Sequence, residues 1–511
     1  MSTKIFSAAL SGLECTLVEV ETDISSGLPQ FNIVGLPDTS LRESRDRIRA
    51  AMKNSGFPFS RTRITVNLAP ASVRKAGSGY DFPIAVSILA TQGTIPPEAM
   101  LEFQKSILIG ELGLDGSLRP VSGVLSMVLA TRTAEYNQVF VAKENADEAK
   151  LVANIKVVAV SNLSDFVKTI NTGIGFTEYV AQEKTKKATG YQVDFSDIRG
   201  QSHAKRALII AAAGGHNILF NGPPGAGKTL LARALPSILP ELTHDEAIDV
   251  TRIWSAAGEL RSGTSFICQR PFRSPHHNAS AVALVGGGTH PKPGEVSLAH
   301  RGVLFLDEFP EFGRCVIENL RQPLEDGIVT VSRASGAVTF PARFMLVAAQ
   351  NPCPCGYLTD PKRQCICSSA QVVAYHKKIS GPIIDRIDMG VEVPALTLDE
   401  LSLPASGQSS KEIRQAVSLA REIQSLRYKK IGLHINAEMT SKMCAEFAKL
   451  SDPAEQLLKQ AVSVQHLSAR SYYRIIKLAR TIADLDSKDA IELEHVAEAL
   501  QYRPQKEQFI I

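Results

Sequence analysis

Short apolar runs alternate with helical stretches over the first 170 residues. Examples of such runs are 63–68, 81–89 and 106–110. Short runs separated by turns and amphipathic segments are typical of domains in which helices pack on a sheet. The pattern therefore predicts an α/β domain over residues 1–170.

The hydrophobic pattern changes twice farther along the chain. Residues 171–193 lose periodicity and contain the charged run 183–187, which is typical of a solvated linker. A second α/β block spans 194–394, and residues 395–511 show helical periodicity, which predicts an all-α domain. Within it, Ser409 with Glu412 predicts a capping box, and Asp452 is predicted to be the N-cap of a second helix.

Composition narrows the class of protein. A chain of 511 residues is expected to form roughly three domains. Its 44% hydrophobic and 21% charged residues are ordinary for a globular protein, and a net charge of +4 does not by itself indicate nucleic acid. No run approaches the roughly 18 apolar residues of a membrane span, and no basic and apolar leader opens the chain. We expect a cytoplasmic protein without membrane contact.

A glycine-rich loop follows a predicted buried strand at 217–221 and leads into a helix. This is the context of a P-loop, in which backbone N–H groups hold phosphates, Lys228 adds charge and Thr229 binds Mg²⁺. The alternative is a chance turn before a helix. The predicted ATP-binding residues are Gly222, Pro223, Pro224, Gly225, Ala226, Gly227, Lys228 and Thr229.

Two further apolar runs end in polar residues. Run 303–306 ends at Asp307 and Glu308, for which we predict Mg²⁺ binding and polarisation of the attacking water, respectively. Run 343–350 ends at Asn351, whose amide is predicted to reach the γ-phosphate or the water. A turn is the alternative for each.

Four cysteines occupy two C-x-C pairs separated by nine residues. Four thiolates at this spacing can surround one tetrahedral Zn²⁺ and leave no open position, which predicts a structural zinc site. Free buried thiols or a labile disulfide are the alternatives. The predicted ligands are Cys353, Cys355, Cys365 and Cys367.

Several motifs together resemble the magnesium-chelatase-like AAA+ ATPases of the YifB/ComM group. Besides the P-loop, they are 195–201 (FSDIRGQ), 271–277 (PFRSPHH), 293–300 (PGEVSLAH), 306–308 (LDE) and 380–386 (SGPIIDR). The resemblance implies an AAA+ P-loop core with inserted β-hairpins and a helical lid. It also implies that Asn351 is a sensor, that Arg470 is a second sensor, and that Arg386 is an arginine finger acting across subunits of a hexamer. A local salt bridge to Asp385 or Asp388 is the alternative role of Arg386.

DNA contacts are predicted from one hairpin and one earlier segment. Residues 327–340 alternate β-formers around a turn, and similar ATPases place such hairpins in the ring channel. Arg333 is therefore a candidate phosphate contact, with Arg273, His276 and His277 as weaker candidates. A solvated turn arginine is the alternative.

The amino-terminal domain resembles the Lon-protease fold through 75–81 (KAGSGYD) and 110–121 (GELGLDGSLRPV). The Ser and Lys of the peptidase dyad align with Gly79 and Leu125, so proteolysis is disfavoured. The segment after residue 40 instead places four basic residues on one helical face. A solvated helix is the usual explanation, and the rival is DNA-backbone contact by Arg42, Arg45, Arg49 and Lys53.

These observations favour an ATP hydrolase that acts as a DNA helicase. We expect a DNA translocase that promotes branch migration during recombination of transforming DNA. DNA, five further copies of the chain and recombination proteins are the expected partners, and ATP, Mg²⁺ and Zn²⁺ the expected cofactors. The alternatives are the ATPase subunit of a magnesium-chelatase-type metal insertion complex and a Lon-like ATP-dependent peptidase.

Overall fold

The computed structural model describes residues 3–73, 75–181, 191, 193–260, 265–288, 291–333, 336–360, 363–397, 407–465 and 467–504. The strands are β1 (Thr3–Ser11), β2 (Glu14–Ser25), β3 (Gln30–Val34), β4 (Arg63–Ala69), β5 (Ser106–Leu108), β6 (Glu111–Leu112), β7 (Leu118–Arg119), β8 (Gln138–Ala142), β9 (Lys156–Val160), β10 (Ile218–Asn221), β11 (Phe272–Arg273), β12 (Gly286–Gly287), β13 (Lys292–Pro293), β14 (Val303–Leu306), β15 (Ile328–Arg333), β16 (Gly336–Pro341), β17 (Met345–Gln350) and β18 (Met389–Glu392).

The helices are α1 (Thr39–Asn54), α2 (Asp81–Thr91), α3 (Met100–Phe103), α4 (Val124–Thr133), α5 (Ala146–Ala149), α6 (Leu163–Asn171), α7 (Ser202–Gly214), α8 (Lys228–Ile238), α9 (His244–Ala257), α10 (Ala281–Val285), α11 (Glu295–Leu298), α12 (Arg314–Glu318), α13 (Arg321–Asp326), α14 (Ser369–His376), α15 (Gly381–Ile384), α16 (Ser410–Tyr428), α17 (Ser441–Phe447), α18 (Asp452–Val464), α19 (Ala469–Leu485) and α20 (Leu493–Gln501). Among these described helices, none is both long and apolar enough to cross a membrane.

The amino-terminal domain contains a mixed sheet in the order β3-β4-β2-β1-β5-β8-β9. Strands β1 and β2 form an antiparallel hairpin, whereas β5, β8 and β9 pair in parallel. Along β4 the residues Ile64, Val66 and Leu68 are buried and their neighbours are more accessible, as expected when one face of a sheet packs on the core. The predicted α/β architecture is therefore confirmed, and the likeness to the Lon fold stays a prediction.

The apolar run 81–89 forms a helix, α2, in which every residue of the run is buried. A helix that is buried all round has no polar face to mark its period, so in sequence it resembles a buried strand. Its first residue, Asp81, accepts from Arg47 Nε at 2.8 Å. This ion pair attaches α1 to α2.

The second α/β block contains a parallel sheet in the order β11-β14-β17-β10-β18. Strands β10, β14 and β17 are buried along their whole length, which explains why they appear as unbroken apolar runs. Because parallel strands end at the same sheet edge, the segments after these three strands meet there. The functional site is built on that edge.

The carboxy-terminal region is helical, as predicted. Ser409 caps α16 in a capping box with Glu412, which confirms that prediction. The N-cap of α18 is Ser451, so the prediction of Asp452 is wrong by one residue, and Pro453 lies in the first turn. Asp, Ser and Pro are all favoured at helix starts, so composition alone does not separate adjacent positions.

Hydrogen bonds of α9 join the two α/β units. Arg252 of α9 donates to Ser126 Oγ at 2.9 Å, and the Gly123 N–H donates to Ser255 Oγ at 2.9 Å. The first part of the predicted linker also packs on the amino-terminal domain, where the Phe176 ring stacks at 5.2 Å on Phe166. Residues 182–190 and 192 of that linker lie outside the described residues.

Candidate nucleotide-binding and hydrolysis site

The loop 222–227 connects β10 to α8 and contains glycines that cannot be replaced without strain. A Cβ at Gly222 would lie 2.1 Å from the Val393 carbonyl oxygen. Gly225 and Gly227 have φ angles of +78° and +92°, which side chains disfavour. Nothing lies within 4 Å of a Cβ built on either residue, so the loop keeps open space beside its backbone.

Lys228 begins α8 and points back under this loop. Its ammonium donates to the carbonyl oxygens of Gly222 and Pro223 and, at 2.9 Å, to Asn351 Oδ1. All three acceptors are neutral, and burial lowers the pKa of Lys228 to about 8. A phosphate would place a negative charge directly against this ammonium in exchange for a neutral acceptor, so the loop fits a nucleotide phosphate.

Asp307 and Glu308 follow β14 and have different surroundings. Thr229 Oγ1 donates to Asp307 Oδ2 at 2.9 Å, which places hydroxyl and carboxylate together as a Mg²⁺ site requires. Glu308 has a left-handed backbone with φ 50°, and its side chain is 54% exposed. Asp307 is thus positioned to hold a metal ion and Glu308 to meet a water molecule.

A histidine contacts the second of these carboxylates. His277 Nδ1 lies 3.1 Å from Glu308 Oε2, and the His276 ring lies 4.1 Å from that of His277. Parallel pairing of β11 with β14 brings this segment beside the carboxylates. This contact was not predicted from the sequence, in which the apolar Pro271 and Phe272 were the available signal for a neighbouring strand.

Arg273 also has partners within the chain. Its guanidinium forms two hydrogen bonds of 2.6 and 2.7 Å with the Glu295 carboxylate and lies 5.3 Å from the Trp254 ring centroid. These contacts explain the position of the Arg273 side chain without a DNA ligand. The predicted DNA contacts of Arg273, His276 and His277 stay predictions.

The four predicted zinc ligands lie together just after Asn351. All four sulfur atoms lie within 4.8 Å of one another. The Sγ of Cys353 is 3.3 Å from that of Cys355 and 3.6 Å from that of Cys365, and Cys367 Sγ accepts from the Cys355 N–H at 3.4 Å. Tetrahedral Zn–S bonds of about 2.3 Å give sulfur separations of about 3.8 Å. The donor set therefore fits a structural zinc ion.

The two predicted nucleotide-contacting arginines share one carboxylate. Arg386 pairs through Nη2 with Glu325, and Arg470 Nη2 lies 3.8 Å from the other oxygen of that carboxylate. Asp388 accepts instead from the Asn217 N–H at 3.0 Å. Arg386 is thus in a salt bridge within this chain, with a carboxylate other than those of Asp385 and Asp388.

The predicted hairpin is present as β15 and β16, which pair in register from Ile328 with Pro341 to Arg333 with Gly336. Its tip, 334–335, lies outside the described residues. Val338 of this hairpin lies against Gly12 of the amino-terminal domain. The middle of the hairpin therefore lies next to that domain.

Comparison of the chain with known proteins identifies its family. The model described as "Magnesium chelatase, subunit ChlI" matches residues 194–401, "Subunit ChlI of Mg-chelatase" matches 20–145, and "Magnesium chelatase, subunit ChlI C-terminal" matches 407–503. The chain is also 43% identical over 503 residues to the competence protein ComM of Haemophilus influenzae, covering 98% of this chain and 97% of that protein. The chain belongs to the ComM/YifB family.

A second member of the ComM/YifB family, the protein YifB of Escherichia coli, is 40% identical over 503 residues and covers 98% of this chain and 96% of its own. The magnesium-chelatase 67 kDa subunit of Chlorobaculum parvum is 29% identical over 166 residues, which are 31% of this chain and 23% of that subunit. The ComM/YifB family has a magnesium-chelatase-like AAA+ ATPase core, which implies ATP and Mg²⁺ as cofactors. The predicted family is confirmed.

Proposed function

We propose that the chain is an ATP-driven DNA translocase that forms a hexameric ring and promotes branch migration during recombination of transforming DNA. The DNA part of the proposal rests on the outer face of α1. The relative of this chain in Haemophilus influenzae is named competence protein ComM, which supports a role with transforming DNA. A cytoplasmic location and association with recombination proteins belong to this proposal.

Helix α1 has a basic outer face and a structural inner face. Arg42, Arg45, Arg49 and Lys53 are all exposed, and no carboxylate of the described residues lies within ion-pair distance of them. Arg47, on the other side, is held by Asp81 as described above. An exposed row of basic side chains without carboxylate partners attracts the phosphates of a nucleic-acid backbone.

The DNA test measures ATPase activity with forked or three-stranded DNA at several salt concentrations. We expect stimulation that declines steeply as salt increases, because phosphate contacts release counterions. Replacing Arg42, Arg45 and Arg49 with Gln should weaken DNA binding and reduce the salt slope by about one for each lost contact. An ATPase rate that DNA does not change, but that a porphyrin-binding partner protein increases, would support the chelatase alternative.

A matched control removes equal charge elsewhere. Lys429, Lys430 and Lys442 are exposed in the helical carboxy-terminal region, far along the chain from α1. Replacing these three with Gln should leave the affinity for DNA and its salt slope unchanged. Equal losses in both triple variants would mean that α1 has no special role.

The ring test uses two inactive variants with defects in different subunit roles. In a mixture, a Lys228→Ala subunit would supply Arg386 to the intact nucleotide site of an Arg386→Ala subunit, so activity should return. A mixture of Lys228→Ala with Glu308→Gln should remain inactive, because both defects lie in the same site. Absence of rescue in the first mixture at every ratio would argue against a finger that acts across subunits.

The peptidase alternative has no support in the site where it would act. Leu125, aligned with the peptidase lysine, is fully buried, and its N–H donates to Glu148 at 2.8 Å. The neighbouring Ser78 hydroxyl donates to Glu111. Neither contact supplies a base that would activate a serine nucleophile in the manner of a lysine.

A further inference from the structure

Glu325 lies at the base of the β15–β16 hairpin. It is the next-to-last residue of α13, which is followed by Gly327 with φ +67° immediately before β15. The Ala342 N–H donates to the Gly327 carbonyl at 2.8 Å and closes the base of the hairpin. Displacement of the two strands would therefore be transmitted to Glu325 through only one or two residues.

The same carboxylate is the meeting point of two arginines from distant parts of the chain. Arg386 follows α15 and Arg470 lies in the first turn of α19, and each approaches a different oxygen of Glu325. The neighbouring guanidinium of Arg386 lowers the pKa of Glu325. One negative charge thus holds two positive ones that would otherwise repel each other.

Arg386 is not presented to a neighbouring subunit in this arrangement. Its side chain is 11% exposed, Nη1 donates to the Pro382 carbonyl at 2.7 Å, and Nη2 is taken by Glu325. A guanidinium that stabilises charge on another subunit's nucleotide has to reach the surface and exchange its carboxylate partner for phosphate oxygens. Glu325 is itself 54% exposed, so solvent weakens the pair enough for such an exchange.

We propose that Glu325 is a positioning residue that holds Arg386 and Arg470 within their own subunit and releases them toward a neighbour's nucleotide when the hairpin base moves. The inference rests on the proposed function, since it takes Arg386 as the finger and the hairpin as a DNA contact. It adds a residue that links the two. DNA on the hairpin would then increase hydrolysis at the adjacent site.

The test compares Glu325→Gln with Asp326→Asn, which removes the same charge from the next exposed residue of α13. Without Glu325 the arginines are no longer held back, so we expect the DNA-free ATPase kcat to rise about threefold or more. The KM for ATP should not change, because the P-loop is intact. DNA should then stimulate by a smaller factor. Asp326→Asn should behave like the original chain, and Glu325→Asp should restore a low DNA-free rate.

A double variant separates release of the finger from other effects. The raised rate should disappear in Glu325→Gln combined with Arg386→Ala, since the released finger causes it. A rate that stays raised in the double variant, or a fall of kcat in Glu325→Gln alone, would overturn the proposal. The DNA-free rate tests Glu325 even if DNA fails to stimulate the original chain, a result that would count against the translocase proposal instead.

Discussion

The ammonium of Lys228 donates to Asn351 Oδ1 at 2.9 Å, although the two residues are 123 positions apart. Parallel pairing of β10 with β17 explains the contact, because Asn221 lies opposite Gln350 at the ends of the two strands. The residue after β17 therefore faces the loop after β10. The P-loop lysine and the proposed sensor form one polar unit at the sheet edge.

Replacing Lys228 with Ala should weaken ATP binding and abolish turnover, because the phosphates lose their buried positive charge. Asn351→Ala should leave ATP binding within about threefold and lower kcat at least tenfold, since the amide acts on the reacting end of the nucleotide. Nucleotide titration together with steady-state ATPase kinetics separates the two effects. Normal turnover in the Lys228 variant would show that the site has been misplaced.

His277 is expected to orient Glu308, because its imidazole lies 3.1 Å from that carboxylate. We predict that His277→Ala lowers kcat roughly tenfold without changing the affinity for ATP. Without the imidazole, the Glu308 carboxylate is no longer held in one orientation and polarises the attacking water less effectively. His276→Ala is the matched control, because its ring lies 4.1 Å from that of His277, whereas the contact with Glu308 is made by His277. Equal effects of the two substitutions would assign both histidines to packing.

Glu308→Gln should bind ATP but not hydrolyse it, because an amide does not accept a proton from the attacking water. Combining it with His277→Ala should cause no further loss, since a positioning residue has no effect once its partner is inactive. The double variant is measured beside each single one. A further tenfold loss would contradict the assigned relationship.

The cysteine cluster should hold about one zinc ion for each chain, measured by elemental analysis of the purified protein. We expect Cys365→Ser and Cys367→Ser each to lose the metal and to lower the melting temperature, because the ion closes the segment after Asn351. Cys268→Ser is the control, since Cys268 is exposed and outside the cluster. Well-folded protein without zinc would contradict the assignment.

His300 should make the protein sensitive to mild acid. Burial lowers the pKa of this imidazole to about 3, and its Nδ1 accepts from the Arg343 N–H at 3.0 Å. The unfolded state, with a pKa near 6.5, binds the proton more readily, so stability is lost as the pH falls below 6.5, by up to about 1.4 kcal/mol per pH unit. This contribution is constant above pH 6.5.

Melting temperatures of the original chain and of His300→Gln at pH 7, 6 and 5 test this prediction. The glutamine keeps an acceptor for the Arg343 N–H but does not titrate, so its melting temperature should decrease less between pH 7 and 5. His434→Gln, at an exposed position, should follow the original chain. Identical pH profiles for all three proteins would exclude His300 as the source.

Elements with strong local signals were predictable from sequence. Strand β14 and the capping box at Ser409 were predicted to the residue, and β10 and β17 began one and two residues later than expected. Buried parallel strands are unbroken apolar runs, and a capping box joins residues only three positions apart. The all-buried helix α2 was less distinct, because a helix without a polar face loses its periodic signal.

Long-range pairing was not predictable in the same way. Arginines that looked alike in the sequence have different surroundings in the structure. Arg42 faces solvent, whereas Arg47 pairs with buried Asp81 and Arg273 with Glu295. Spacing identifies the helix face on which a residue lies, and it does not identify the element that packs against that face. Glu325 received no role in the sequence analysis because nothing near it in the chain distinguishes it from any exposed carboxylate.

Residue types and their spacing were thus sufficient to locate the P-loop, the carboxylates after β14 and the cysteine pairs, and to recognise the family. These features are local, since each depends on a strand, a turn or a ligand spacing within a few residues. The contacts of His277 with Glu308, and of Glu325 with Arg386 and Arg470, were decided by tertiary packing. They join residues 31 to 145 positions apart, and only the sheet order and the docking of helices bring such residues within a few ångströms.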